Sequence, residues 1–268
     1  MKHYYLVLLA VASHLSFAQT NDSTYVHPQQ YLLAETVVAA NRWEQPIREV
    51  PGRVAKVGAS LVAFQNPQTA ADLLALSNQV FIQKSQLGGG SPMIRGFATN
   101  RVLLVVDGVR INNAIFRSGN LQNVISLDAN VIESSEVIFG PGSVIYGSDA
   151  IGGVMDFHTF SPHVKQPGNN MFSGNGFTRF SSANKEKTTH VDFNVGLDRW
   201  AFLTSVTYSD FGDLRMGSHG PDAYLRRDYI ENENGADVVK INSDPEVQVP
   251  SGYSQLNLMQ KVRFQPSA

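Results

Sequence analysis

Three stretches in the last third of the chain alternate apolar and polar residues with a period of two. In "KTTHVDFNVGL" (187–197), Val191, Phe193, Val195 and Leu197 share one face, and His190, Asp192, Asn194 and Gly196 the other. In "RWAFLTSVTYSD", Trp200, Phe202, Thr204, Val206 and Tyr208 share a face. In "SQLNLMQKVRF", Leu256, Leu258, Val262 and Phe264 do so, with Gln260 the one polar interruption. "GNGFTRFSS" is a fainter fourth case. Runs of about ten residues with this period, carrying aromatics near an end, have the pattern of outer-membrane barrel strands. A tight turn at Asp198-Arg199 and a polar loop over 210–253 fit short turns on one side and long loops on the other. A water-soluble sandwich would alternate in the same way, so the pattern leaves both open.

Between about residues 50 and 160 the pattern is α+β. "GRVAKVGASLVAF" alternates like a strand, and "NPQTAADLLAL" reads as a short helix. Thr69 is the candidate cap of that helix, and Leu73, Leu74 and Leu76 face inward. "VFIQKS" reads as a strand, "GGG" as a turn and "SPMIRGF" as a further strand. Val102 to Val106 is a continuous apolar run, suited to a strand covered on both faces, and Asp107-Gly108 turns the chain after it. "DANVIESSEVIFG" predicts one helical turn and a strand, and "VMDFHTF" a closing strand.

The start of the chain changes the picture. Lys2 and His3 precede an apolar run from Tyr4 to Ala12, followed by Ser16-Phe17-Ala18. A charged start, a short apolar segment and a small-x-small site in that order predict a secretory signal peptide over 1–18. Residues 19–45 read as a flexible leader, with the β-prone run "ETVVAANRWEQ" inside it. Such an edge can pair with another strand, so it is a candidate docking peptide as well as an ordinary first strand. No other stretch approaches the roughly 20 apolar residues of a membrane helix, so a membrane protein built from this chain would use strands. There are no cysteines, which excludes disulfides and thiolate metal sites, and the net charge of −2 gives no sign of a nucleic-acid surface.

The densest candidate chemistry is "FGPGSVIYGSDAIGGVM" (139–155). Gly142 and Gly147 enclose four residues, as in a phosphate-cradling loop. Such a loop needs Lys directly after the second glycine, and here Ser148-Asp149 follow, so an anion stands where a cation is required. Gly140, Gly142, Gly147, Gly152 and Gly153 are better read as sharp turns and close approaches to another surface. Arg95, Arg101, Asp107, Arg110 and Arg117 cluster in sequence with Glu133, Glu136 and Asp149. With no histidine between His27 and His158 and no nucleophile elbow, ion pairs that fix and release a movable domain fit this cluster better than catalysis. The histidines at 158, 163, 190 and 219 lack metal-ligand spacing.

These stretches together resemble the N-terminal part of the TonB-dependent outer-membrane receptors. "ETVVAANR" is similar to the energy-coupling box of that family, although Asn41-Arg42 departs from the Thr-Ala-x-Arg that usually follows it. "MIRGF", "RVLLVVDGVRINN" and "VIFGPGSVIYGSDAIGGVMDF" resemble successive segments of its plug, in order and spacing. The resemblance implies an α+β plug domain over 46–160, followed over 170–268 by the first, about four, antiparallel strands of a transmembrane β-barrel. By position the box is Glu35, Thr36, Val37, Val38 and Ala39, and the plug motifs carry Arg95, Gly96, Asp107, Gly108 and the five glycines of 140–153. The glycines would let the plug lie close to the barrel wall. The implied partners are TonB, which pairs with the box, outer-membrane lipid and an iron-containing ligand. "NAIFRSGNLQNVI" and "SDFGDLRMGSHGPD" resemble the haem, haemoglobin and iron-carrier branch found in Bacteroidetes. They make Arg117 and His219 candidate contacts for haem or a ferric siderophore as transported substrate, with no covalent cofactor and no enzyme activity. The family's barrel has about 22 strands. Four strands would leave unpaired edges in lipid, so the resemblance predicts a piece of a longer or split receptor. A secreted β-rich binding module without transport is the alternative.

Overall fold

Alternation of buried and exposed positions organises two sheets in the computed structural model. It describes residues 36–37, 45–50, 52–86, 89–98, 101–111, 123–165 and 171–266, which belong to one compact unit spanning 35–268. The expected signal peptide and most of the leader lie outside the described residues, as do Glu35, Val38, Ala39 and Arg117.

The first part of the chain is built from short elements. Strands β1 (Thr36–Val37) and β2 (Gln45–Pro46) pair with each other. Then come β3 (Arg53–Val57), helix α1 (Ala59–Gln65), helix α2 (Ala70–Ala75), β4 (Phe81–Gln86), β5 (Gly89–Met93), β6 (Val102–Val106), β7 (Val109–Arg110), β8 (Ile132–Phe139), helix α3 (Ser143–Tyr146) and β9 (Gly153–Thr159). Five strands form one sheet in the order β3-β8-β9-β6-β7, with β6 and β9 parallel and the other pairs antiparallel. Leu73 and Leu74 of α2 close one face over Val57, Val102, Leu104, Val137, Met155 and Phe157. Leu103, Val105, Val154, Tyr146 and Ala150 fill the other. Coverage on both sides is why Val102–Val105 could be apolar throughout. Thr69 caps α2, its Oγ1 accepting from the Asp72 amide at 3.2 Å, as the sequence predicts.

Two expectations change. The alternation over "GRVAKVGASLVAF" ends at Val57, and Ala59–Gln65 is helical, stopped by Asn66 in the left-handed region at φ 45°. No residue of α1 is buried, so no apolar face signalled it. Gly89 and Gly90 belong to β5 rather than to a turn. A Cβ at Gly90 would come within 2.6 Å of the Ala71 Cβ, so the seat of α2 demands glycine there.

The second sheet comprises β10 (Phe172–Ser181), β11 (Glu186–Gly196) and β12 (Trp200–Phe211), followed after the loop by β17 (Tyr253–Phe264). The order is β10-β11-β12-β17, antiparallel throughout. Its polarity is inverted. Glu186, Thr188, His190, Asp192, Asn194, Ser205, Thr207 and Ser209 are buried, while Val191, Trp200, Phe202, Val206, Tyr208, Leu256, Leu258 and Val262 are exposed. A water-soluble sandwich buries the opposite set, so the sheet has the polarity of a barrel wall rather than of a sandwich. Gln260 on the exposed face is satisfied by its cross-strand partner, since Thr204 Oγ1 donates to Gln260 Oε1 at 2.7 Å. No helix among the described residues is long and apolar enough to cross a membrane.

The stretch 210–253 is not a plain loop. It holds β13 (Leu214–Arg215), which pairs with β16 (Val247–Gln248), and a hairpin of β14 (Asp228–Glu233) with β15 (Ala236–Ile241). The hairpin turns at Asn234-Gly235, with φ 54° and 86°, an Asn-Gly pair flanked by β-prone residues.

Candidate functional site

Thr36 and Val37 are the described part of the box. Val37 is fully buried, and the pairing is antiparallel, Thr36 opposite Pro46 and Val37 opposite Gln45. The Thr36 carbonyl accepts a bond from a side chain, Lys56 Nζ donating at 2.5 Å.

Lys56 begins a charged row across three strands. Lys56, Glu136 and Asp156 are direct cross-strand neighbours on β3, β8 and β9. Lys56 Nζ lies 3.8 Å from Glu136 Oε1, and the Glu136 side chain is only 1% exposed. Burial pushes the Asp156 carboxyl up to about 6, and the facing Glu136 adds to this, against His158 and the Tyr146 hydroxyl. Tyr146 donates to Asp156 Oδ2 at 3.3 Å, while His158 Nε2 stands 4.0 Å away.

The motif residues occupy turns. Arg95 (φ 50°) and Gly96 (φ 85°) form a tight turn closed by Ile94 and Phe97. The guanidinium of Arg95 lies 5.6 Å from the Phe139 ring centroid, as does that of Arg53. Asp107-Gly108 makes the β6–β7 turn as predicted, with φ 49° and 80°. In the glycine stretch, Gly142 and Gly147 flank α3, and Arg110 Nη2 holds the following loop through Ser148 O at 2.8 Å and Asp149 Oδ2 at 3.1 Å. Three of the five glycines make close approaches within the chain. A Cβ at Gly142 would meet Val154, one at Gly152 would meet Phe97 at 2.3 Å, and one at Gly153 would meet the Ile138 carbonyl at 2.6 Å. These neighbours belong to the first domain itself, not to the wall strands.

Among the described residues, side chains from two regions of that domain meet the second sheet. Asp107 Oδ2 is 2.9 Å from Lys261 Nζ on β17 and accepts from Thr159 Oγ1 at 2.7 Å, while its Oδ1 accepts from the Thr159 amide at 2.9 Å. Burial pulls the Asp107 carboxyl upward, but the Lys261 and Thr159 bonds outweigh it and hold the group below the usual range. On the other side, buried Glu186 receives Arg179 Nε at 2.7 Å, Thr188 Oγ1 at 2.7 Å and Gln68 Nε2 at 2.5 Å. Arg179 Nη1 reaches on to Asn66 Oδ1 at 2.6 Å. In the segment that links the domain to β10, the His163 backbone and Asn194 exchange two bonds of 3.0 Å. The expected ion-pair cluster thus forms in part, with Lys56 and Lys261 as partners that the sequence did not single out. Lys261 had a signal, a cation on the face opposite the apolar positions of its strand.

His219 is exposed in the loop between β13 and β14. The loop base is tied by Arg215, bonded to Asp244 at 2.6 Å and Glu246 at 2.7 Å. His190 is buried between Thr207 Oγ1 at 2.6 Å and Asp192 Oδ2 at 3.2 Å, a satisfied wall histidine. Among the described residues no three His, Cys, Asp or Glu side chains are grouped to hold a metal ion.

Comparison with known proteins agrees with this geometry. The family model "TonB-dependent Receptor Plug Domain" matches residues 46–154. The chain is 33% identical over 258 residues to the vitamin B12 transporter BtuB of Vibrio vulnificus (strain CMCP6), covering 94% of this chain and 36% of that protein. It is 31% identical over 223 residues to the hemin receptor of Yersinia pestis, covering 78% of this chain and 31% of that protein. Its fold matches the pyoverdine outer membrane receptor FpvA of Pseudomonas aeruginosa PAO1 with a TM-score of 0.54 at 16% identity, over 66% of this chain and 24% of that one. The chain therefore spans about a third of the length of these two curated relatives.

Proposed function

Since the chain belongs to the TonB-dependent receptors, we propose that residues 46–160 act as the plug of an outer-membrane receptor and residues 170–268 as the first strands of the wall around it. The observation that carries this reading is the inverted sheet, whose polar face is buried and grips the first domain while its apolar face is exposed. Residues 1–18 direct export, and the chain works in the outer membrane of a Gram-negative cell. Thr36 and Val37 pair with a strand of TonB, which pulls on the plug from the periplasmic side. Strand addition suits so short a peptide because the main chain supplies the affinity. No covalent step is asked of any residue.

The ligand class is an iron-containing carrier, haem or a ferric siderophore, with His219 and Arg117 as its candidate contacts. The likeness to a hemin receptor supports it, and the likeness to a vitamin B12 transporter adds vitamin B12 to the candidates. Two measurements test the reading. Replacing Val37 with Pro removes a ladder donor and should weaken binding of the periplasmic domain of TonB by about tenfold or more. Equal affinity of wild type and variant would remove the box from this segment. Hemin titrated into the chain and followed by absorbance should bind about tenfold more weakly to His219→Ala. An unaltered spectrum and affinity would take His219 out of the ligand site.

A further inference from the structure

We propose that Lys56 is a clip that keeps the coupling strand closed through the Thr36 carbonyl, and that it passes to Glu136 when a partner strand takes that carbonyl. This rests on the reading of Thr36–Val37 as the coupling strand.

The strand is weakly held by its own ladder. Its pairing with β2 is only two residues long. A two-stranded ladder of that length is marginal by itself. Two further features hold it, the complete burial of Val37 and the charge-assisted bond from Lys56 Nζ to Thr36 O. A strand added by a partner needs the main-chain acceptors of β1, so its N–H and the Lys56 ammonium compete for the same oxygen.

Release needs somewhere for the ammonium to go, because a buried charge left without a partner is costly. Glu136 provides it. Its Oε1 is already 3.8 Å from Lys56 Nζ, on the neighbouring strand and in direct register. Lys56 itself is 20% exposed and Glu136 1%, so the ammonium sits at the mouth of the buried row and the carboxylate within it. Asp156 stands beyond Glu136 as its cross-strand neighbour, which adds negative charge to the receiving end. The clip therefore has two acceptors, one on the coupling strand and one in the plug sheet. The partner's arrival moves it from the first to the second.

The test uses the full chain and two readouts. In Lys56→Met, amide exchange over Thr36–Val37 and Gln45 should accelerate about tenfold or more, the scale of losing a bond to a charged group. Exchange over Val102–Val106 should stay at the wild-type rate, which reports that the plug sheet is intact. Lys56→Arg, which keeps a cationic donor, should restore slow exchange. The periplasmic domain of TonB should then bind Lys56→Met about tenfold more tightly than wild type. If exchange at Thr36–Val37 is unchanged in Lys56→Met while the plug sheet remains protected, the clip is overturned. If exchange accelerates but the TonB domain binds neither protein, the clip stands and the coupling-strand reading falls.

Discussion

Single side chains decide how the two sheets are held together, and Asp107 is the most informative of them. It sits in a left-handed turn, fixes the end of β9 through both groups of Thr159, and meets Lys261 from the wall. Its folded-state value lies below the ordinary one, so the ionised form is favoured by folding. The stabilisation is therefore complete above the unfolded value of about 4 and is lost as the pH falls through the depressed folded value. Thermal melts of wild type and Asp107→Asn should differ at pH 7, and the difference should shrink as the pH is lowered to about 3. A gap that stays constant down to that pH would mean that the carboxylate charge is not what joins the plug to β17. The turn itself was legible in the sequence, because Asp-Gly after an apolar strand has few other uses. The Lys261 contact was not, because 154 residues of chain separate the two and only the register of β17 brings them together.

Strands and turns were more legible than helices. Val102–Val106, Ile132–Phe139 and the three alternating wall strands follow from their patterns, because each has a face that must be buried or exposed. β10 was faint because Gly174 and Gly176 occupy positions where an apolar side chain would have marked the face. A Cβ at Gly174 would lie 2.9 Å from the Asp192 carbonyl. The hairpin of β14 and β15 was passed over inside a polar loop, although Asn234-Gly235 announced it. α1 left no signal, since none of its residues is buried. In the glycine stretch, Gly142, Gly152 and Gly153 lie close against neighbours of the first domain. Gly153→Ala should cost roughly 3 kcal/mol, because the new Cβ would press on the Ile138 carbonyl and on Ile94. Gly140→Ala should cost only about 1 kcal/mol, because φ is 99° but nothing lies within 4 Å of the added carbon. Denaturant titration of the two variants checks the order, and equal losses would mean that backbone conformation, not crowding, is what these glycines serve.

At the scale of the whole molecule, the inverted burial of the second sheet separates a barrel-type wall from a sandwich, a choice that alternation alone left open. The sequence contained both faces of each strand but could not say which one the plug would cover. How the wall grips what it covers has a consequence for how the two can change. Among the described residues, several of the side chains on the second sheet reach main-chain oxygens outside it. Arg179 donates to the carbonyls of Asn66 at 3.2 Å and Pro67 at 3.5 Å, and Asn194 to that of His163 at 3.0 Å. Lys261 reaches that of Thr159 at 3.3 Å, and Arg263 that of Pro162 at 3.5 Å. A carbonyl is the same acceptor whatever side chain its residue bears. A chain that kept this backbone path would keep these carbonyl acceptors, while the bonds made by Asp107, Gln68, Asn66 and the Thr159 hydroxyl would still need their side chains.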